Sequence, residues 1–242
     1  MAKKSTASNG GMRLFYILLA IVAVAGIASI AYTLKGSSGA ATEPVKLNGL
    51  ENARQLYEMA TAVKQGPDNA PVKGVEFADY SCPACREFDM KVMPTIKQQF
   101  LNTGKVQFIF YDFPLVEIHP HSFLAARAAR CAGDQGKFWE YSDALFRSAP
   151  NWAESRQTPT STFENIAGTL GLDKGAFTSC LKSDKYADVV TANRKLAEQL
   201  GIDSTPTVLV NNRRWSGPLN SPASLAQMIR SDLPSQPSQP AG

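Results

Sequence analysis

Residues 75–85 constrain this chain more than any other stretch. Val75-Glu76-Phe77-Ala78-Asp79-Tyr80 carries the β-favouring Val75, Phe77 and Tyr80 and reads as a strand. It runs through Ser81 into Cys82-Pro83-Ala84-Cys85. Pro83 fixes its own φ and lacks an N–H, which suits the first position of a helix. Cys82 then lies at a helix N-terminus, where free N–H groups and the macrodipole favour negative charge. Such a place lowers a thiol's pKa and makes the reactive thiolate at neutral pH. Cys85, three residues on, is close enough to attack a disulfide on Cys82. A Cys-x-x-Cys pair at a strand–helix junction is the sequence sign of a thiol–disulfide redox site. The competing reading is half of a structural zinc site, which needs four ligands in two spaced pairs. The other two cysteines, Cys131 and Cys180, each stand alone. No metal is expected.

The N-terminus bears on the compartment. Leu14 to Leu34 is an uncharged, mostly apolar run of 21 residues, long enough to span a bilayer. Lys3, Lys4 and Arg13 precede it, which places residues 1–13 in the cytoplasm and the rest outside. A cleaved signal peptide has an apolar core of about 7–15 residues, so the longer run reads as an uncleaved anchor at 14–34. A cut near Ser38-Gly39-Ala40 is the alternative. Four cysteines fit two pairs in an oxidising compartment. The net charge of +4 is partly local to the N-terminus, and aromatics do not interleave with basic runs. No nucleic-acid partner is therefore expected.

After a linker from Gly36 to Asn48, Leu50, Ala53, Leu56, Tyr57, Ala60 and Val63 recur at helical spacing and predict an amphipathic helix over 51–64. Linker and helix together occupy 35–65. The segment after Cys85 reads as a helix with Phe88, Val92, Met93, Ile96 and Phe100 on one face, kinked by Pro94. Lys105 to Tyr111 reads as a buried strand. Helices follow at 123–132, 138–146, 163–170, 174–181 and 186–200. Thr207 to Val210 and Arg213 to Ser216 form a hairpin about Asn211-Asn212. Ser221-Pro222 opens a last helix. The tail at 234–242 is rich in Pro, Gln and Ser and reads as disordered.

At this point the sequence resembles the thioredoxin superfamily and, within it, the DsbA-like thiol–disulfide oxidoreductases. The resemblance covers about 66–233. Residues 76–85 look like the family's active-site strand and helix start. Tyr111-Asp112-Phe113-Pro114-Leu115, leading to His119-Pro120-His121, looks like the entry to an inserted helical domain. Residues 138–146 (FWEYSDALF) resemble a helix of that domain, and 201–207 (GIDSTPT) the loop bearing a cis-proline. The resemblance implies an α/β thioredoxin-like fold with a helical insertion at about 116–200, preceded by one transmembrane helix.

It also implies roles. Cys82 is the nucleophile, exposed at the helix start, and Cys85 the buried resolving cysteine. Thr205-Pro206 faces Cys82, with Pro206 cis and its preceding carbonyl and N–H turned toward a substrate strand. Glu76, six residues before Cys82, is either a buried acid that relays a proton for Cys85 or a solvated strand charge. Pro83-Ala84 departs from strong oxidants that carry His in the second position, where an imidazole stabilises the thiolate. Cys131 and Cys180 read as a structural disulfide, with a second redox pair as the alternative. The function implied is an extracytoplasmic disulfide oxidase with a monomeric catalytic domain and no cofactor. Its partners are reduced, unfolded protein substrates and a quinone-linked membrane oxidoreductase that recycles it. A reductase or isomerase shares the fold. A metal carrier using Cys82, Cys85, His119 and His121 is the reading from another class.

Overall fold

The structure, a computed structural model, describes residues 40–47 and 52–234. The expected cytoplasmic N-terminus, the anchor at 14–34 and the tail beyond 234 lie outside the described residues. Among the described residues no helix is long and apolar enough to cross a membrane.

A five-stranded sheet organises the fold. Its strands are β1 (Val63–Gln65), β2 (Val72–Ala78), β3 (Val106–Asp112), β4 (Thr207–Val210) and β5 (Arg213–Trp215). Their spatial order is β1-β3-β2-β4-β5. Only β2 and β3 run parallel, in register from Val72↔Val106 to Ala78↔Asp112. The parallel pair needs a crossover, which α2 (Pro83–Lys91), α3 (Met93–Ile96) and a wide turn at Lys97–Leu101 supply. The break at Val92 falls just before Pro94, where the proline kink was expected. β4 pairs antiparallel with β2 at Phe77↔Thr207 and carries β5 as its hairpin partner.

Strand alternation sends β2 side chains to opposite faces. Val72 and Ala78 join the large core with Cys85, Phe88, Val92, Met93 and Phe110, so Glu76 lies on that same side. Phe77 belongs to a second cluster with Phe113, Ala197 and Ile202. Between β3 and β4 the chain makes five α-helices, α4 (Ser122–Gly133), α5 (Phe138–Ser148), α6 (Thr160–Thr169), α7 (Lys174–Lys182) and α8 (Ala187–Gln199), with a short 3-10 turn at Ala149–Asn151. A buried ion pair joins this block to the sheet. Arg130 bonds Asp112 at 2.7 Å and the Thr61 carbonyl at 2.7 Å, and Asn193 donates to the same Asp112 oxygen at 3.2 Å. The last helix, α9 (Ala223–Asp232), follows Pro222, which is its N-cap, one residue later than the expected Ser221-Pro222 opening.

Two expectations need correction. The helix expected over 51–64 is α1 (Ala53–Met59), and Val63–Gln65 is a strand. Val63 fits a helical period, but the β3 edge from Phe108 to Phe110 offers it a ladder of backbone partners. Gly66 then turns the chain at φ +92°, and a Cβ there would stand 2.6 Å from the Val106 carbonyl oxygen. The linker is the second correction. Its described part, 40–47, lies along the helices rather than free of them. Ala41 N–H donates to Asp184 at 2.7 Å, Val45 N–H to Thr191 Oγ1 at 3.1 Å, and Leu47 packs with Leu56, Ala60 and Leu196.

Cys131 on α4 and Cys180 on α7 are joined by a disulfide across 49 residues of sequence. Closing a loop of that length restricts the unfolded chain and contributes on the order of 4 kcal/mol by the chain-entropy argument. Urea unfolding of the Cys131→Ala variant should show a loss of about 2–4 kcal/mol with the Cys82 thiolate titration unmoved. A loss below about 1 kcal/mol would contradict this role for the bond.

Candidate active site

Cys82 is the N-cap of α2, with φ −72° and ψ 121°, and Pro83 takes the first helical position. The local sequence dictates this. Asp79 Oδ1 accepts the Ser81 N–H at 2.7 Å, and the Asp79 carbonyl accepts the Cys82 N–H at 3.1 Å. These bonds fold 79–82 into a tight turn that ends on the helix. The Asp79 side chain is fully enclosed, and its Oδ2 also accepts the Leu115 N–H at 2.8 Å and meets His119 Nδ1 at 2.8 Å. One buried carboxylate thus holds the redox turn against the segment that enters the helical block. That hydrogen bond, with the Asp79 charge, raises the His119 pKa above its ordinary value, and the Cys82 charge adds to the rise.

Both thiols are free. Cys82, expected to be exposed, is only 8% exposed. The 205–206 loop covers it, and the thiol reaches the Thr205 carbonyl oxygen at 3.5 Å. The Thr205–Pro206 peptide is cis. Cys85 is fully buried, and its sulfur accepts the Asp79 N–H at 3.5 Å. The two thiols diverge in acidity. Cys82 is lowered to about 6, first by a hydrogen bond from Cys85. Burial opposes this, while the Thr205 side chain and the backbone N–H groups of Cys85 and Ala84 reinforce it. Thr205 Oγ1 is buried without a hydrogen-bond partner, so its hydroxyl is free to donate once Cys82 ionises. Cys85 is pushed well up by burial, by the bond it donates to Cys82, and by the charges of Cys82 and Glu76. At neutral pH the resting site is a Cys82 thiolate beside a Cys85 thiol.

Glu76 is buried at 3% exposure, which decides between the two readings of its surroundings. Its Oε1 has no hydrogen-bond partner. Burial foremost, then the Asp89 and Cys82 charges, raises its pKa well above the carboxylate range, with Lys97 opposing. The shift favours its protonated form. Asp89 was missed by the sequence reading. It lies one turn beyond Cys85 on α2, a spacing that places both on one helix face. Burial and then Asp143 raise it to about 6. Ala84 packs partly buried against the core. Cys131 and Cys180 are spent on each other. His121 is engaged elsewhere, with its Nε2 at 2.8 Å from the Ser155 carbonyl oxygen. Among the described residues no cluster of His, Cys, Asp and Glu is arranged to hold a metal.

A pair of free cysteines at the start of a helix, beside a cis-proline on a mixed sheet, defines a class, and comparison with known proteins agrees. The family described as Thioredoxin matches residues 58–230. A "Probable disulfide bond formation protein D" of Bacillus anthracis is 31% identical over 162 residues, which are 66% of this chain and 75% of that protein. A protein named "Na(+)/H(+) antiporter NhaA 3" in Salinispora tropica is 31% identical over 178 residues, 74% of this chain but only 26% of that protein's length. Among solved structures, oxidised BdbD from Bacillus subtilis matches with a TM-score of 0.62 and 26% identity, covering 70% of this chain and 91% of BdbD. The chain belongs to the thioredoxin family. Within that family it is a DsbA-like thiol–disulfide oxidoreductase, and so an enzyme.

Thiolate absorbance of the reduced protein should titrate with a midpoint near 6, and the signal should be lost in Cys82→Ser. The folded pKa is depressed below that of an unfolded cysteine, about 8.5. The added stability of the reduced form is therefore complete above about 8.5 and vanishes as pH falls through about 6. Denaturant unfolding of the reduced and oxidised forms should show their difference shifting in favour of the reduced form across that window. A difference that is flat with pH would refute the thiolate assignment.

Proposed function

We propose that this protein is a membrane-anchored, extracytoplasmic disulfide oxidase that introduces disulfides into folding proteins. The observation that carries this reading is the opposite displacement of the two thiols, with Cys82 lowered and Cys85 raised. Holding Cys82 as a thiolate stabilises the dithiol form, and whatever stabilises the dithiol makes the disulfide a stronger oxidant.

Catalysis starts from the Cys82–Cys85 disulfide. A substrate thiolate attacks the Cys82 sulfur, forming a substrate–Cys82 disulfide and breaking the Cys82–Cys85 bond. Cys85 leaves as a thiolate into a buried setting where charge is costly. Glu76 supplies the proton, becoming a carboxylate as Cys85 becomes a thiol. A second substrate thiolate then attacks the substrate sulfur of the mixed disulfide, and Cys82 leaves as its stabilised thiolate. Two substrate thiols have lost two electrons, and the protein holds them as its dithiol. The Thr205–Pro206 edge lies beside Cys82, where it offers main-chain groups to an extended substrate. The name printed for the Bacillus anthracis relative, a disulfide bond formation protein, supports the oxidative direction. Recycling by a quinone-linked membrane oxidoreductase and anchoring through 14–34 complete the proposal. A metal carrier is disfavoured, because His119 and His121 are engaged by Asp79 and Ser155.

Three variants test this. Cys85→Ser, first converted to its Cys82–glutathione disulfide with glutathione disulfide, should accumulate mixed disulfides on Cys82 as substrate thiolates displace glutathione, and Cys82→Ser treated likewise should accumulate none on Cys85. Trapping in the Cys82 variant instead would reverse the assignment. Ala84→His places a hydrogen-bond donor and a potential charge near the Cys82 sulfur. It should lower the thiolate midpoint and make the couple more oxidising by about 30 mV, a factor of ten in the equilibrium. An unmoved midpoint, or a more reducing couple, would show that this dipeptide does not tune the site.

A further inference from the structure

His119 takes no part in bond exchange, yet the fold fixes it beside the redox turn. Its Nδ1 meets Asp79 Oδ2 at 2.8 Å. Its main chain is held as well: the Leu115 carbonyl accepts its N–H at 2.9 Å, and Ser122 Oγ donates to its carbonyl at 2.9 Å. The same Asp79 side chain accepts the N–H of Ser81, the residue before Cys82, at 2.7 Å. Imidazole and redox turn therefore share one carboxylate. A carboxylate only accepts, so Nδ1 carries its hydrogen toward Asp79 and Nε2 is the nitrogen left to titrate. Nε2 has no hydrogen-bond partner among the described residues and is not sealed, the side chain keeping 11% of its surface exposed. A proton can enter and leave there.

Three ionisable acids act on this ring from three elements: Asp79 from the redox turn, Cys82 from the start of α2, and Glu154 from the turn that follows α5. The Asp79 hydrogen bond is the largest influence and favours the imidazolium, burial opposes it, and the charges of Asp79, Cys82 and Glu154 add to the rise. The chain's other histidine, His121, is bonded to the Ser155 carbonyl oxygen instead. Coupling between two sites is reciprocal. Since the Cys82 charge favours the His119 cation, the His119 cation favours the Cys82 thiolate by the same free energy. It adds to the larger effects of Cys85, Thr205 and the backbone N–H groups.

We propose that His119 is a positioning residue for thiol–disulfide exchange, a cation held by Asp79 that stabilises the Cys82 thiolate and takes up a proton when the disulfide is reduced. The proposal rests on the thiolate-based oxidase reading and adds to it a destination for one proton. Oxidising two substrate thiols to a disulfide releases two electrons and two protons. The electrons cleave the Cys82–Cys85 bond, and one proton ends on Cys85. The other goes to His119 Nε2 where the ring was neutral, and to solvent where it was already imidazolium. The His119 pKa is then higher in the reduced protein than in the oxidised one. Its contribution to the dithiol form is full below the oxidised protein's value and is lost as pH rises through the reduced protein's value. It also requires the thiolate, which forms above about 6.

The test follows the two imidazoles of the full-length protein, His119 and His121, by NMR titration, with His121→Gln assigning the signals. The His119 midpoint should be higher in the reduced than in the oxidised protein, and reduced Cys82→Ser should titrate like the oxidised protein. His119→Gln should weaken the couple as an oxidant of glutathione about two- to five-fold near pH 6.5, the scale of one partly exposed charge pair. That deficit should close as pH rises past the His119 midpoint measured in the reduced protein. An imidazole that merely braces Asp79 gives a deficit that does not change with pH and a midpoint blind to redox state. Either result would overturn the proposal, and the native protein's titration stands even where His119→Gln fails to fold. A Cys82 thiolate titrating near 6 beside an indifferent His119 removes this proposal alone. No thiolate near 6 in the reduced protein removes the oxidase reading and this proposal with it.

Discussion

The hydrogen bond from the Cys85 thiol to the Cys82 sulfur is the interaction on which the rest of this site depends. It lowers one sulfur and raises the other, so the pair shares a single proton in the reduced state. That division needs two unlike settings three residues apart. Pro83 opens α2 at Cys82 and leaves its sulfur near free backbone N–H groups. One helical turn carries Cys85 into the core beneath β2, where a charge would be poorly solvated. The sheet supplies that burial, and the helix N-terminus supplies the anion's partners.

The geometry is completed by residues far away in sequence. Thr205 reaches Cys82 across 123 residues because β4 pairs with β2 at Phe77↔Thr207, which delivers the 205–206 loop over the sulfur. The helical block fills the chain between them without interrupting the sheet. Asp79 joins these parts from inside, bonding the redox turn, Leu115 and His119 through one carboxylate. Glu76 owes its burial to the same register. It shares a β2 face with Val72 and Ala78, which pack under α2. A buried acid beneath Cys85 is thus a consequence of strand alternation and of the crossover that covers that face.

Much of this was legible in the sequence because the signals were local. The Cys pair, Pro83 and the β-rich residues before them define a strand–helix junction by their own chemistry. The Asn211-Asn212 hairpin and the Pro222 helix start were readable for the same reason. What escaped depended on partners elsewhere. Val63 belonged equally to a helical period and to a strand, and only the β3 edge decides between them. The covering of Cys82 comes from a loop that no spacing near Cys82 announces. Glu76 was left open, although its even spacing from Val72 and Ala78 already placed it on their face. Asp89 was legible and missed, four residues after Cys85 on a helix whose register was known.

The central claim is that the dithiol form is stabilised by the Cys82 thiolate, and the equilibrium of the Cys82–Cys85 couple against glutathione measures it most directly. A thiolate midpoint near 6 lies between those of thioredoxin and DsbA, about 7 and 3.5. The couple should accordingly lie between their potentials, roughly −270 and −120 mV, with the protein's disulfide readily reduced by glutathione. A potential at or below roughly −270 mV, with the disulfide persisting in excess reduced glutathione, would contradict the account.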